Sequence, residues 1–142
     1  MIIVGSDHGG LDLKNSIVEY LKELGHAVLD LGTHTPEAVD YPDIAKTVCT
    51  TLKPDDTGIL VCGTGIGISM AANKMKGIRA ALCSDVFSAQ MAREHNNANV
   101  ICLGGRVLED EDAFAILDSF FETSFAGGRH EKRVQKIMDL ES

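Results

Sequence analysis

Five short apolar runs, each followed by a stretch with helical periodicity, constrain this chain more than any other feature. The runs are Met1 to Ser6, Ala27 to Leu31, Ile59 to Cys62, Ile78 to Cys83 and Asn99 to Leu103. They are predominantly apolar and do not alternate, as strands buried on both faces of a parallel sheet do not. Between the first two, Leu13, Ile17, Leu21 and Leu24 recur on one helix face until Gly25 stops it. Asp40-Tyr41-Pro42 opens a second helix, with Pro42 suited to its first turn and Ile44, Ala45, Val48 and Leu52 as its apolar face. Ile68 to Lys74 is compatible with a third. Ser84 or Asp85 caps a fourth, which runs to about Asn96 with Phe87 and Met91 turned inward. Glu109, Asp110, Glu111 and Asp112 crowd the start of a fifth, where negative charge favours the dipole, and that helix buries Phe114, Leu117, Phe120 and Phe121. Gly127-Gly128 precedes a last helix over about 129–141. This order predicts an α/β fold: a five-stranded parallel sheet with helices on both faces, plus a C-terminal helix.

At 142 residues the chain suits one domain spanning 1–142, with 44% apolar and 24% charged residues typical of a globular protein. A net charge of −8 argues against nucleic acid or an anionic membrane as partner. The cysteines at 49, 62, 83 and 102 form no C-x-x-C pair and no zinc spacing, so reduced core thiols and a cytoplasmic setting are expected. Met1 leads straight into a strand, with neither a basic n-region nor a long apolar segment, so neither a signal peptide nor a membrane span is expected.

In a sheet of this kind ligands bind at the carboxyl ends of the strands. After the third run comes Cys62 and then Gly63, Gly65 and Gly67 at alternate positions. Amide groups in such a loop, beside a helix start, suit an anion. The dinucleotide fingerprint G-x-G-x-x-G requires glycine where Ile68 stands, and the Gly-Lys-Ser/Thr of a nucleotide-phosphate loop is absent. Cys62 is either a small buried hydrophobe or a reactive thiol. Asp7 and His8 follow the first run, and Asp7 is either a functional carboxylate or a helix cap. Gly104, Gly105 and Arg106 follow the fifth. His95, with Asn96, closes the fourth helix, where a histidine also serves as a dipole partner. His26 and His34 have no motif around them and read as surface or structural residues. Arg129 and Arg133 lie one turn apart on the last helix, and paired guanidiniums suit a phosphate dianion. That helix also has an apolar face of Val134, Ile137 and Met138. A thiol base, a histidine acid and a phosphate clamp fit isomerisation of a phosphorylated aldose to its ketose through an enediolate, which needs neither metal nor cofactor.

These residues match a known family. GSDHGG from Gly5, DYP from Asp40, CGTGIGISMAANK from Cys62, EHNNANV from Glu94, GGR from Gly104 and GGRHEKRV from Gly127 resemble type B ribose-5-phosphate isomerases. The same family holds the galactose-6-phosphate isomerase subunits, and the match spans nearly the whole chain. The resemblance implies a Rossmann-like three-layer fold, a homodimer or dimer of dimers, and interconversion of ribose 5-phosphate and ribulose 5-phosphate in the pentose phosphate pathway. It implies Cys62 as the base and His95 as the acid that opens the furanose ring. Gly63, Thr64, Gly65, Ile66 and Gly67 would hold the enediolate, with Thr64 counted among the catalytic groups. Asp7, His8, Tyr41 and Asn96 would hold the sugar hydroxyls, and Arg129 and Arg133, with Arg106, the phosphate. One branch of the family carries a glutamate just after the loop in place of the cysteine; Ile68 there points to the thiol branch. Two rival readings are a hexose-6-phosphate isomerase of allose or galactose type and a non-catalytic sugar-phosphate or nucleotide sensor.

Chain direction adds one expectation. Cys62 ends a strand at the carboxyl edge, whereas His95 and Arg129 each follow a helix that returns to the amino edge. A strand spans about 17–20 Å, so the site is expected to be shared between two subunits. Cys62 would come from one chain and His95, Arg129 and Arg133 from the other, with the C-terminal helix packing on the partner. Arg106, which follows the fifth strand, belongs with Cys62.

Overall fold

The computed structural model describes residues 1–141. Its elements are β1 (Ile2–Ser6), a short 3-10 turn (His8–Gly10), α1 (Leu11–Glu23), β2 (Val28–Asp30), α2 (Tyr41–Thr51), β3 (Thr57–Cys62), α3 (Ile66–Ala72), β4 (Ala80–Leu82), α4 (Val86–Glu94), β5 (Val100–Gly104), α5 (Asp110–Glu122) and α6 (Arg129–Met138). All strand pairings are parallel, in the order β2-β1-β3-β5-β4. The expected five-stranded α/β architecture with its C-terminal helix is therefore present.

Burial explains the apolar runs. Every residue of β1 and β5, and all of β3 after Thr57, is buried, because helices cover both faces. One apolar layer joins alternate strand residues such as Val4, Val61 and Leu103 to Ile17 and Leu21 of α1, Ala89 and Ala92 of α4, and Leu117 and Phe120 of α5. The opposite layer joins Ile3, Leu60 and Cys102 to Val48 of α2 and Ile68 of α3. β2 and β4, at the edges, are three residues each and only partly buried.

The helix starts follow their local chemistry. Asp85 caps α4 by accepting the Ser88 N–H at 2.7 Å. Glu109 and Asp112 form a reciprocal capping box on α5, and Pro42 lies in the first turn of α2. Gly25, at φ +89°, takes the left-handed conformation that follows α1.

Three expectations are corrected. Phe87 does not turn inward: it is 69% exposed, and Met91 is only half-buried. α4 packs through Ala89 and Ala92, whose small side chains let it lie close to α5 and the sheet. The third helix also begins at Ile66, not Ile68, so the last two residues of the glycine loop form its first turn. In α5, Leu117 and Phe120 are buried while Phe114 and Phe121 pack at the rim of the core.

Candidate active site

The strand order reverses between β1 and β3, since the chain moves from β1 outward to β2 and then crosses to the far side of β1. Such a switch point opens a crevice at the carboxyl ends of the strands. Three loops meet there: Asp7–Gly10 after β1, Gly63–Gly65 after β3 and Gly105–Arg106 after β5. The Asp7 N–H donates to Val61 O at 3.1 Å, the Gly105 N–H to Cys62 O at 2.8 Å and the Arg106 N–H to Gly63 O at 2.9 Å, so sheet pairing continues into the loops.

Cys62 ends β3 at 4% exposure, and its Sγ accepts the Gly65 N–H at 3.2 Å. Gly65 has φ +80°, and a Cβ there would lie 2.6 Å from the Leu82 side chain and 2.9 Å from the Leu103 backbone. Both facts demand glycine, and they are what turn the Gly65 amide back onto the sulfur. The Ile66 N–H donates to Thr64 Oγ1 at 3.3 Å, and the Thr64 side chain is exposed at the crevice mouth.

The other predicted residues of this group stand around the same loop. The Arg106 guanidinium lies against the backbone of Gly9 and Gly63, where added Cβ atoms would meet its nitrogens at 3.3 and 3.1 Å. The Tyr41 ring covers Gly67 so closely that a Cβ there would be 2.5 Å away. Asp7 does cap the 3-10 turn, its Oδ1 accepting the Gly10 N–H at 3.1 Å. His8 is exposed, and its Nδ1 accepts the Val39 N–H at 3.2 Å.

A second group lies elsewhere on the chain. The His95 ring stacks on His130, with centroids 4.1 Å apart and planes 12° from parallel. The Ala126 N–H donates to Glu94 O at 3.0 Å, which brings the start of α6, with exposed Arg129 and Arg133, to the end of α4. This is the amino edge of the sheet, since Asn99, four residues after His95, accepts the Gly58 N–H at 2.9 Å. Cys62 stands four residues further along β3, about 13 Å away at the usual strand rise. Within one chain, then, Cys62, Asp7, His8, Tyr41 and Arg106 come together, and His95, Asn96, Arg129 and Arg133 do not join them.

His130 was not singled out in the sequence, although it sits between Arg129 and Arg133. Partial burial, then the adjoining His95 and the cations Arg129 and Arg133, hold its pKa below the usual histidine value, with Glu94 opposing. Burial pushes the Cys49 and Cys83 thiols up to about 11, and Cys102 well above the ordinary range. Among the described residues, no cluster of three or more His, Cys, Asp or Glu is arranged to hold a metal ion, and no helix is long and apolar enough to cross a membrane.

A family model described as Ribose/Galactose Isomerase matches residues 2–137. The chain belongs to the ribose/galactose isomerase family. Ribose-5-phosphate isomerase B of Escherichia coli (strain K12) is 46% identical over 142 residues, covering 99% of this chain and 95% of that protein. Among solved structures, ribose-5-phosphate isomerase B of Clostridium thermocellum superposes with a TM-score of 0.96 at 50% identity, covering 99% of this chain and 96% of that one. The Mycoplasma genitalium enzyme, solved with ribulose 5-phosphate bound, gives 0.95 at 46% identity, covering 99% and 95%. The crevice of this isomerase-family chain therefore sits in a fold shared along nearly its whole length with these enzymes.

Proposed function

We propose that this chain interconverts ribose 5-phosphate and ribulose 5-phosphate, with Cys62 as the base. The observation that carries this reading is the Gly65 N–H on the Cys62 sulfur at 3.2 Å, at the mouth of the switch-point crevice. A thiolate there removes the C2 proton of the open-chain aldose, and the electron pair moves to the carbonyl oxygen to give an enediolate. Amides of the Gly63–Gly67 loop and the Thr64 hydroxyl face that negative charge. Cys62 then returns its proton to C1 while a proton passes from O2 to O1, which completes the ketose with no external oxidant or reductant. Asp7, His8, Tyr41 and Asn96 bind the sugar, and Arg106, Arg129 and Arg133 the phosphate. His95 protonates the ring oxygen on opening.

His95, Asn96, Arg129 and Arg133 enter the site from a second copy of the chain. A cleft of about 940 Å³ runs along the open edge of β4, lined by Leu82 and Cys83, by Ser88, Ala92 and Asn96 on the α4 side, and by Ile137 of α6 and Leu140 just beyond it. Phe87 and Val86 stand exposed on α4 and Met70 and Ile66 on α3, and α6 buries only Val134 in its own chain. A two-fold axis at this edge runs the two α4 helices antiparallel and carries the amino-edge histidine of each chain to the other's Cys62. Four free, buried thiols fit a reducing compartment such as the cytoplasm.

The test is a coupled assay on ribose 5-phosphate with chelator present, run beside allose 6-phosphate and galactose 6-phosphate. The expected result is the highest kcat/KM on ribose 5-phosphate, unchanged by chelator. Faster turnover of a hexose phosphate would replace the pentose reading, and binding without turnover would favour a sensor.

A further inference from the structure

Lys14 is wholly buried, at 0% exposure, in the first turns of α1. Its ammonium donates to both carboxylate oxygens of Asp30, at 3.0 and 2.8 Å. The isomerisation chemistry uses neither residue. Stability alone is a poor reason for such a pair, because desolvation of two charges offsets most of their attraction, and apolar replacements of the same size are often as stable.

Its hydrogen bonds lead toward the active site. Asp30 is the last residue of β2, and its Oδ1 also accepts the Gly32 N–H at 2.9 Å. The Ser6 N–H donates to Gly32 O at 2.7 Å, and the Thr33 N–H to Ser6 O at 2.7 Å. These bonds join the segment after β2 to the end of β1, one residue before Asp7. The segment 31–40 contains no helix or strand. Its far end returns to the crevice, where the Val39 N–H meets His8 Nδ1 and Tyr41 covers Gly67. The segment is thus fixed at its root by the ion pair and at its tip by His8. His34 stands 3.9 Å from Asp30 and is largely exposed.

We propose that Lys14 and Asp30 are positioning residues for the isomerase: their buried ion pair fixes the 31–40 segment, and through it His8 and Tyr41, against the sugar phosphate. This rests on the reading that His8 and Tyr41 hold the substrate. A misplaced binding group costs catalysis without any loss of fold, and a shift of about 1 Å can cost on the order of 100-fold.

The experiment compares wild type with Lys14→Met and with the double variant Lys14→Met/Asp30→Leu, which leaves no orphaned charge. Thermal melting, amide hydrogen exchange by mass spectrometry, calorimetric affinity for ribose 5-phosphate, and kcat and KM are measured on each full-length protein. The double variant should melt cooperatively and keep the wild-type rate of Cys62 alkylation. Its 31–40 peptide should exchange faster, while peptides covering β3 and β5 stay protected. Affinity for ribose 5-phosphate should fall about tenfold or more, with kcat falling less. Unchanged affinity in a folded double variant overturns the proposal. So does a loss accompanied by faster exchange throughout β3 and β5, and so does failure of both variants to fold, since each makes the pair a stability element only. A wild type that fails to bind ribose 5-phosphate sinks the functional reading instead, and exchange of the 31–40 peptide in the variant still decides whether the pair fixes the segment.

Discussion

Cys62 differs from the other three thiols in what it touches, and that difference predicts its reactivity. All four thiols are buried, and burial pushes those of Cys49, Cys83 and Cys102 up; Cys62 is set apart by the backbone amide that donates to its sulfur. Iodoacetamide should label Cys62 first, by peptide mass spectrometry, and bound substrate should slow the labelling; first labelling at Cys49 or Cys83 would count against the assignment. Cys62→Ala should remove nearly all turnover while substrate affinity stays close to wild type, and Cys62→Ser should be almost as poor, because a hydroxyl is a far weaker acid than a thiol. For the phosphate, Arg133→Ala should raise KM for ribose 5-phosphate by an amount worth about 1.5–3 kcal/mol, as for a charge-assisted hydrogen bond. Turnover of unphosphorylated ribose should hardly change, and equal losses on both substrates would indicate a folding defect. The strand–loop–helix corner at Cys62 and the placement of Arg129 and Arg133 one turn apart on α6 were legible in advance, since both are local patterns. The burial of Lys14 was not legible. A lysine beside Leu13 on an amphipathic helix reads as surface, and only the position of β2 beside β1 brings Asp30 to meet it.

At the scale of elements, α2 reaches the site through Tyr41, its first residue, lying over Gly67 of α3. Gly67→Ala places a methyl 2.5 Å from that ring. Tyr41 is 39% exposed and free to swing outward, so the variant should melt close to wild type and show a raised KM. A large drop in melting temperature with unchanged KM would mean that the contact serves the fold and not the substrate. On the opposite face, α1 is tied to α5 by the Tyr20 hydroxyl, which donates to Asp118 at 2.6 Å while its ring stacks on Phe114. The hydrogen bond to Asp118, then burial and the charges of Asp118 and Glu122, raise the Tyr20 pKa to about 12. A folded-state pKa above the unfolded value of about 10 gives stability that is whole below pH 10 and lost as pH rises toward 12. Tyr20→Phe should therefore cost about 1 kcal/mol at pH 7 and flatten the fall in stability between pH 10 and 12, measured by urea unfolding. An unaltered alkaline slope would show that the bond does not control it. Element existence and order were readable because each apolar run and each helix face is local. Phe87 was misread because its environment depends on β4 being an edge strand, and strand order is set by long-range pairing with β5.

At the scale of the molecule, one chain carries its two groups of candidate site residues on opposite edges of its sheet. Cys62 lies at the carboxyl edge of β3, while His95, stacked on His130 beside Arg129 and Arg133, lies at the amino edge. Chain direction alone predicted this separation, because a helix that follows a parallel strand must return the chain to the opposite edge. On the proposed shared-site reading, a second chain closes the site at the open cleft along β4 and the exposed faces of α4 and α6. The most direct test of a shared thiol-base site is a mixed oligomer of two inactive variants, Cys62→Ala and His95→Asn, allowed to exchange subunits. In a heterodimer one site receives both lesions and the other receives neither, so ribose 5-phosphate isomerase activity should return, up to about half the wild-type value per heterodimer on the two-site symmetry. Confirmed subunit exchange with no return of activity would contradict the account.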